Sequence, residues 1–255
     1  MSERNELPYR ALILDFDRTL LHTDKRISAN SVRVLRDWQQ AGACLFAATA
    51  RPERAITAYC GMIAFDAVTT LNGARTITRE AVFENPLPPD SAASVLAQLY
   101  RIPGTVISAE TADGFFASAE IPAWQPEVLP DLRVLPGRAR IYKLLASHPG
   151  MPVEQLAVDL PADLYCTVAE GSLIQVMSRA ATKWNGVQRM LETFRIPAEQ
   201  AIYFGDDNDD IEPIRRCGLG VAVSNALEAV RLAADCITAS NDEDGVAAFL
   251  TRLRQ

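Results

Sequence analysis

The sequence predicts an α/β protein with a parallel sheet and a second, α+β domain inserted into it. Short apolar runs that end in polar residues and lead into helical periodicity occur near both ends of the chain. The middle of the chain instead alternates polar and apolar residues, as half-exposed antiparallel strands do. The length of 255 residues is enough for one large domain or two modest ones.

The N-terminal part begins the predicted parallel sheet. Residues 9–16 (YRALILDF) are an apolar run typical of a strand buried on both faces. A helix follows from Ser28 or Ser31 to about residue 40, because serine caps helix starts and the apolar residues recur near helical spacing. Further strands are expected at residues 43–48 and 65–70, with a helix between them that opens near residue 52 and ends near residue 61.

The C-terminal part repeats the same order of elements. A helix over residues 182–194 precedes a strand over 201–204, which ends in the acidic loop GDDNDD. The pattern then predicts the following elements in order: a helix over 211–217, a strand over 219–223, a helix from 226, a strand over 236–238 and a terminal helix from 243.

The segment between these two parts has a different pattern of polar and apolar residues. Residues 76–83 (TITREAVF) and 172–178 (SLIQVMS) alternate polar and apolar side chains, and a helix is expected over about 91–100. We therefore predict one core domain formed by residues 1–75 and 182–255, with residues 76–181 inserted as an α+β domain.

Composition and charge exclude several classes of protein. The net charge of −7 comes without any basic block, so an electrostatically held nucleic acid or anionic membrane is not expected as a partner. The longest stretch without a charged residue, 38–50, is shorter than the ~20 residues that span a bilayer. The chain starts without the apolar core of a signal peptide, so we expect a soluble, cytoplasmic protein.

Histidine and cysteine chemistry is also disfavoured. The sequence contains only two histidines and five cysteines, the latter without a CxxC pair. The scarcity of histidine weakens the case for a His-activated serine or cysteine nucleophile and for a His-rich metal centre. Carboxylates are the chemistry to consider first.

Carboxylates and a hydroxyl follow the predicted strands at their carboxyl ends. Asp15 and Asp17 close the first strand, Thr49 the second, and Asp206 the strand over 201–204. These ends meet at one edge of a parallel sheet, where ligands bind. Converging carboxylates repel one another unless a cation lies among them, and oxygen ligands favour Mg²⁺, which in turn favours a phosphate-bearing substrate.

Each of these signals has a purely structural alternative. Strand-terminal aspartates often only cap the next helix, and a lone lysine is usually a surface residue. The acidic run GDDNDD could be a solvated turn or a calcium loop. An EF-hand is excluded because Cys217 occupies the twelfth loop position, where that motif needs glutamate.

Taken together and in order, the motifs resemble those of the haloacid dehalogenase superfamily of phosphohydrolases. The closest branch is the Cof-type, subclass IIB sugar phosphatases, whose fold would be a Rossmann-like core with an inserted α+β cap of the C2 type. The segments that carry the resemblance are DFDRTLL (15–21), FAATARP (46–52), Lys183, GDDNDDIEPI (205–214), the Leu-Asn-Gly-Ala of 71–74, GVAVSNALEAVRLAAD (220–235) and SNDEDGVAAFL (240–250).

The resemblance implies a phosphomonoesterase that acts on a small phosphorylated metabolite. Asp15 would attack phosphorus and form an aspartyl-phosphate. Asp17 would protonate the leaving oxygen and then activate water. Thr49 and Lys183 would bind the transferring phosphoryl group.

The resemblance also implies a Mg²⁺ site. Asp15, the main-chain carbonyl of Asp17 and Asp206 would hold the cation, and Asp210 would orient the metal ligands or Lys183. The identity of the metabolite and the oligomeric state are not readable from these motifs.

Two residues depart from the family pattern. Arg18 stands where glycine usually follows the second aspartate, and Asp209 stands where asparagine is usual. The Arg18 guanidinium could face solvent, clamp a second anionic group of the substrate, or hinder the reaction. Because of these departures, a sensor that binds a phosphorylated ligand without turnover is an alternative. A phosphomutase, which the family also includes, is another.

Overall fold

The computed structural model describes residues 9–169 and 171–254. The chain divides into two compact units: the described residues up to Phe83 together with those from Thr182 onward, and Glu84–Ala181. Residues 1–8, on which the expectation of no signal peptide rests, lie outside the described residues. Within the described ranges, every helix is too short or too polar to span a bilayer.

Strands and helices alternate along the first unit, and strands dominate the second. The strands are β1 (Ala11–Leu14), β2 (Cys44–Ala48), β3 (Ala67–Thr70), β4 (Arg75–Ile77), β5 (Val82–Glu84), β6 (Val106–Thr111), β7 (Phe115–Ala117), β8 (Glu127–Val128), β9 (Ile141–Ser147), β10 (Leu164–Ala169), β11 (Leu173–Ser178), β12 (Ala201–Gly205), β13 (Leu219–Val223) and β14 (Cys236–Thr238). The helices are α1 (Ala29–Gln40), α2 (Thr57–Met62), α3 (Pro89–Leu99), α4 (Lys183–Phe194), α5 (Ile211–Arg216), α6 (Glu228–Ala233) and α7 (Gly245–Leu253).

The sheet of the first unit has the strand order β14-β13-β12-β1-β2-β3-β4-β5. The strands from β14 to β3 run parallel to one another. Leu14 at the end of β1 pairs with Ala47 of β2 and with Phe204 of β12. The residues that follow these strands therefore lie at one edge, and the predicted α/β class is confirmed.

Alternation along β1 explains why helices cover both faces of this sheet. Leu12 and Leu14 pack into an apolar cluster with residues of α1 and α7. Ala11 and Ile13 point the other way and pack with residues of α4 and α6. A strand buried on both faces needs apolar residues at every position, as this run has.

The hairpin of β4 and β5 is placed differently from its prediction. Its alternation predicts antiparallel strands of the inserted domain, but β4 pairs antiparallel with β3 and β5 lies next to β4 in the first sheet. The first crossing between units consequently falls at 83/84 instead of 75/76, while the return lies at Thr182. Alternation of polar and apolar residues shows that a strand has one buried face, but it does not show which sheet the strand joins.

The second unit has a sheet of its own, in the order β10-β11-β9-β6-β7-β8. Its neighbours pair antiparallel, except β7 with β8. The helix α3 contributes Val95, Leu96 and Leu99, all fully buried, to an apolar cluster with the sheet. The unit thus has a core separate from those of the first sheet.

Candidate active site

Asp15 and Lys183 form a buried ion pair at the carboxyl edge of the parallel sheet. Asp15 follows β1 directly, and Lys183 is the first residue of α4. The Lys183 Nζ lies 2.7 Å from Asp15 Oδ1, and both side chains are almost fully buried. The Thr182 hydroxyl caps α4 by accepting a hydrogen bond from the Asn185 N–H, which fixes where the helix, and hence Lys183, begins.

A close backbone contact holds the start of α4 in place. Gly73 has a φ of +93°, and a Cβ added there would lie 1.9 Å from the Thr182 carbonyl oxygen. Only glycine accepts both the left-handed conformation and this approach. The turn before β4 is thereby packed directly against the residue that precedes Lys183.

Asp210 is completely buried and holds four hydrogen bonds. Its Oδ1 accepts from Lys183 Nζ at 2.6 Å and from the Tyr203 hydroxyl at 2.6 Å. Its Oδ2 accepts from the main-chain N–H groups of Asp206 at 2.9 Å and Asp207 at 3.0 Å. Of the two roles that the resemblance implies for Asp210, this geometry favours orienting Lys183.

The acidic residues fit a divalent cation. One carboxylate oxygen from each of Asp15, Asp206 and Asp210 can be chosen so that all lie within 4.8 Å of one another. Because Asp210 already accepts four hydrogen bonds, Asp15 and Asp206 are the better candidates for ligands. A hard cation that keeps several waters suits such an oxygen set.

The pKa values of Asp15 and Asp206 also indicate that negative charge is unfavourable at this site. Burial and the neighbouring Asp210 raise the pKa of Asp206 to about 6. Burial also raises the pKa of Asp15 well above its ordinary value, against the opposing effect of Lys183. A cation would relieve the cost of ionising these two carboxylates together.

Asp17 lies in a different environment from Asp15. Arg51 binds it with two hydrogen bonds, Nε to Oδ2 at 2.6 Å and a terminal nitrogen to Oδ1 at 2.7 Å. Lys25 Nζ adds a third at 2.8 Å. Burial alone would raise the pKa of Asp17, but the hydrogen bonds from Arg51 and Lys25 outweigh it and lower that pKa to about 2.

Thr49 lies at the same carboxyl edge of the sheet, directly after β2, and is buried. Its N–H donates to the Thr69 carbonyl at 2.9 Å, which continues the pairing with β3. Its hydroxyl oxygen accepts from the Arg51 N–H at 3.1 Å. Among the described residues no acceptor for the hydroxyl proton is seen, so this proton can point at a group bound at this edge.

Of the two residues that depart from the family pattern, Arg18 contacts the acidic loop and Asp209 belongs to it. Arg18 has a φ of +60°. Its guanidinium donates to the Asn225 carbonyl oxygen at 3.0 Å, and its Nε lies 3.7 Å from Asp206 Oδ2. Asp209 accepts a hydrogen bond from the side-chain amide of Asn72.

Sequence reasoning missed several partners of these residues. Arg51 lies in the TARP segment (49–52) that carries part of the resemblance. Its position in that motif could have marked it as a partner of a site residue such as Asp17. Tyr203 occupies a strand position where an aromatic residue predicts only packing, and nothing local marks its bond to Asp210. Asn225 and Lys25 lie in loops whose contacts no periodicity encodes.

Comparison with known proteins assigns the family. Residues 12–250 match the family of haloacid dehalogenase-like hydrolases. This match covers nearly the whole chain, so the protein belongs to that family and is a hydrolase of this type. The resemblance inferred from the motifs is confirmed.

Individual relatives agree with this assignment. The chain is 26% identical over 268 residues to the 5-amino-6-(5-phospho-D-ribitylamino)uracil phosphatase YitU of Bacillus subtilis, with 95% of this chain and 96% of that protein covered. Among solved structures, the phosphatase BT1666 of Bacteroides thetaiotaomicron superposes with a TM-score of 0.85 at 23% identity, covering 100% of this chain and 98% of that one. The subclass IIB sugar phosphatase BT4131 has a TM-score of 0.81 at 21% identity, covering 96% and 99%. Both solved structures therefore have the same fold as this protein.

Proposed function

We propose that this protein is a Mg²⁺-dependent phosphomonoester hydrolase that acts on small phosphorylated metabolites, with sugar phosphates as the favoured class. The observation that carries the proposal is the buried Asp15 carboxylate, paired with Lys183 beside Asp206 at the carboxyl edge of the sheet. Membership of the haloacid dehalogenase-like hydrolases supports it. The relative YitU, whose named substrate carries its phosphate on a ribityl chain, supports the substrate class.

Asp15 is the proposed nucleophile. A carboxylate oxygen of Asp15 attacks phosphorus, a P–O bond to Asp15 forms, and the bond to the leaving oxygen breaks. Lys183 keeps its charge beside this carboxylate and offsets negative charge on the phosphoryl group. The Thr49 hydroxyl donates a hydrogen bond to a phosphoryl oxygen. Attack of water on the aspartyl-phosphate then releases inorganic phosphate and restores Asp15.

Asp17 is the proposed acid and base. It protonates the leaving oxygen in the first step and takes a proton from the attacking water in the second. To carry a proton, Asp17 has to be released from Arg51 and Lys25, which hold it ionised. The substrate phosphate is an anion that competes with Asp17 for these two cations.

The cation has a defined place in this proposal. Asp15, Asp206 and the main-chain carbonyl of Asp17 would hold Mg²⁺. When bound, Mg²⁺ supplies positive charge that offsets the repulsion between the Asp15 carboxylate and the incoming phosphate. The raised pKa values of Asp15 and Asp206 support this assignment.

The first test is phosphate release from p-nitrophenyl phosphate and from a panel of sugar phosphates. We expect turnover with Mg²⁺ and its loss after chelation with EDTA. Asp15→Asn should lower turnover by about 10³-fold or more, because the amide cannot act as the nucleophile. Asp24→Asn is a matched control, since Asp24 is exposed and pairs with Arg26 of the same loop, outside the proposed site. It should retain wild-type turnover.

The outcomes separate the proposal from its alternatives. Wild-type turnover by a correctly folded Asp15→Asn variant would rule out Asp15 as the nucleophile. Thermal stabilisation by phosphorylated ligands without phosphate release across the panel would indicate a sensor. Transfer of the phosphoryl group between substrate hydroxyls, with little free phosphate, would indicate a mutase.

A further inference from the structure

Arg18 occupies a backbone conformation that would suit glycine better. Its φ of +60° is left-handed, a conformation that is unfavourable for a residue with a Cβ. An arginine at this position therefore needs side-chain contacts that offset the cost. The structure supplies such contacts on the loop that follows β13.

Two hydrogen bonds tie Arg18 to Asn225 in both directions. The guanidinium donates to the Asn225 carbonyl oxygen at 3.0 Å, and the Asn225 side-chain amide donates to the Arg18 carbonyl oxygen at 2.8 Å. Asn225 is itself held, because its side-chain oxygen accepts from the Asn241 N–H at 2.9 Å. Asn241 in turn donates to the Leu21 carbonyl oxygen at 2.9 Å, which closes the network onto the loop that carries Arg18.

The network places the Arg18 guanidinium against Asp206. The Arg18 Nε lies 3.7 Å from Asp206 Oδ2, while the Thr19 hydroxyl donates to Asp206 Oδ1 at 3.1 Å. Asp206 is 4% exposed at its side chain, whereas Arg18 is 56% exposed. The carboxylate that we assign to the metal is thus already in contact with a positive charge from the chain itself.

We propose that Arg18 sets the divalent-cation affinity of this site by competing for the Asp206 carboxylate. The proposal rests on the metal site of the proposed function. A guanidinium cannot lose its charge near neutral pH, so it repels a cation held by the same carboxylate. Binding must occur against this repulsion, or Arg18 must first leave Asp206 and its Asn225 acceptor. Either route weakens cation binding relative to a chain with a neutral residue at this position.

The test measures Mg²⁺ binding without substrate, by isothermal titration calorimetry and by the Mg²⁺-dependent rise in Tm. Arg18→Gly removes the charge and accepts the backbone conformation, so its Kd for Mg²⁺ should be about three- to tenfold lower than that of the wild type. The difference should shrink as NaCl is raised, because Arg18 is half-exposed and its charge is screened.

Two further variants isolate the charge. Arg18→Lys keeps a cation at the same backbone position and should bind Mg²⁺ within about twofold of the wild type. Arg26→Gln makes the same change in net charge as Arg18→Gly in a loop residue that pairs with the exposed Asp24, and its Kd should equal that of the wild type.

The results that would overturn the inference are specific. Unchanged or weaker Mg²⁺ binding by Arg18→Gly would show that Arg18 does not compete with the cation. Equal tightening in Arg18→Lys would show that the loop backbone, not the charge, sets the affinity. If wild type and variants all bind no Mg²⁺, the metal site itself falls with this inference. Mg²⁺ binding that Arg18→Gly leaves unchanged overturns this inference alone.

Discussion

At the scale of single residues, Asp210 connects the groups on which the proposed reaction depends. It accepts from Lys183 and Tyr203 on one oxygen and from two main-chain N–H groups on the other. Burial alone would lower the pKa of Lys183, but Asp15 and Asp210 outweigh it and hold that pKa above its ordinary value. The lysine therefore stays charged despite its burial, which an unpaired ammonium group would not do.

Tyr203→Phe tests this connection at the residue scale. The change removes one hydrogen bond to Asp210, so the unfolding free energy should fall by about 1 kcal/mol in urea titrations. The Asp210 oxygen then attracts Lys183 more strongly and draws it from Asp15. We expect kcat to fall severalfold while KM for p-nitrophenyl phosphate changes little.

Tyr100→Phe is the matched control for this variant. The Tyr100 hydroxyl donates to the Pro130 carbonyl and accepts from the Leu132 N–H in the second unit. Its loss should cost similar stability without changing kcat. If Tyr203→Phe loses stability but keeps wild-type kcat and KM, Tyr203 has only a structural role.

At the scale of elements, the packing of α4 against β3 positions Lys183. A Cβ added at Gly186 in α4 would lie 2.1 Å from the Thr69 Oγ1 of β3. Glycine in a helix costs about 1 kcal/mol relative to alanine, so its presence here reflects the close approach. The same approach brings the N-terminus of α4, with Lys183, to the edge of the sheet.

Gly186→Ala should therefore destabilise the protein although alanine favours helix. The overlap with Thr69 forces α4 outward, and we expect a loss of about 1–3 kcal/mol in urea unfolding. Gly61→Ala in α2 is the control, because a Cβ there meets nothing within 4 Å. It should leave stability unchanged or raise it by up to ~1 kcal/mol. Equal effects of the two changes would contradict the packing argument.

At the scale of the whole molecule, the two units have separate apolar cores. The clusters of the first unit are formed by residues outside 84–181. The cluster of the second unit is formed within Glu84–Ala181, with α3 covering one face of its sheet. Each unit thus has what an independently folding domain requires.

A fragment of residues 84–181 should consequently fold by itself. We expect a cooperative thermal transition by circular dichroism and dispersed amide signals in NMR spectra. A fragment of residues 101–181, which lacks α3 and its buried Ala92, Val95, Leu96 and Leu99, should show neither. A featureless spectrum from the longer fragment would mean that the inserted unit depends on the first unit for its fold.

The sequence by itself determined the class of fold and which polar side chains follow the strands at the carboxyl edge of the sheet. Apolar runs at both ends predict the parallel strands, and β13 and β14 have their predicted bounds. Asp15, Thr49 and Asp206 follow strands that are neighbours in the sheet, so their shared edge follows from the order of elements alone. Hydrophobic periodicity is a local property, and the local sequence encodes it.

Only the tertiary structure decided how the charged groups are paired. Asp17 binds Arg51, and Arg18 lies against Asp206. Asp210 accepts one of its four hydrogen bonds from Tyr203. The hairpin of β4 and β5 likewise joins the first sheet and not the second. These outcomes depend on loops far apart in the chain, such as Arg18 and Asn225, which are 207 residues apart. A local pattern carries no record of such partners, because long-range packing alone brings them within hydrogen-bonding distance.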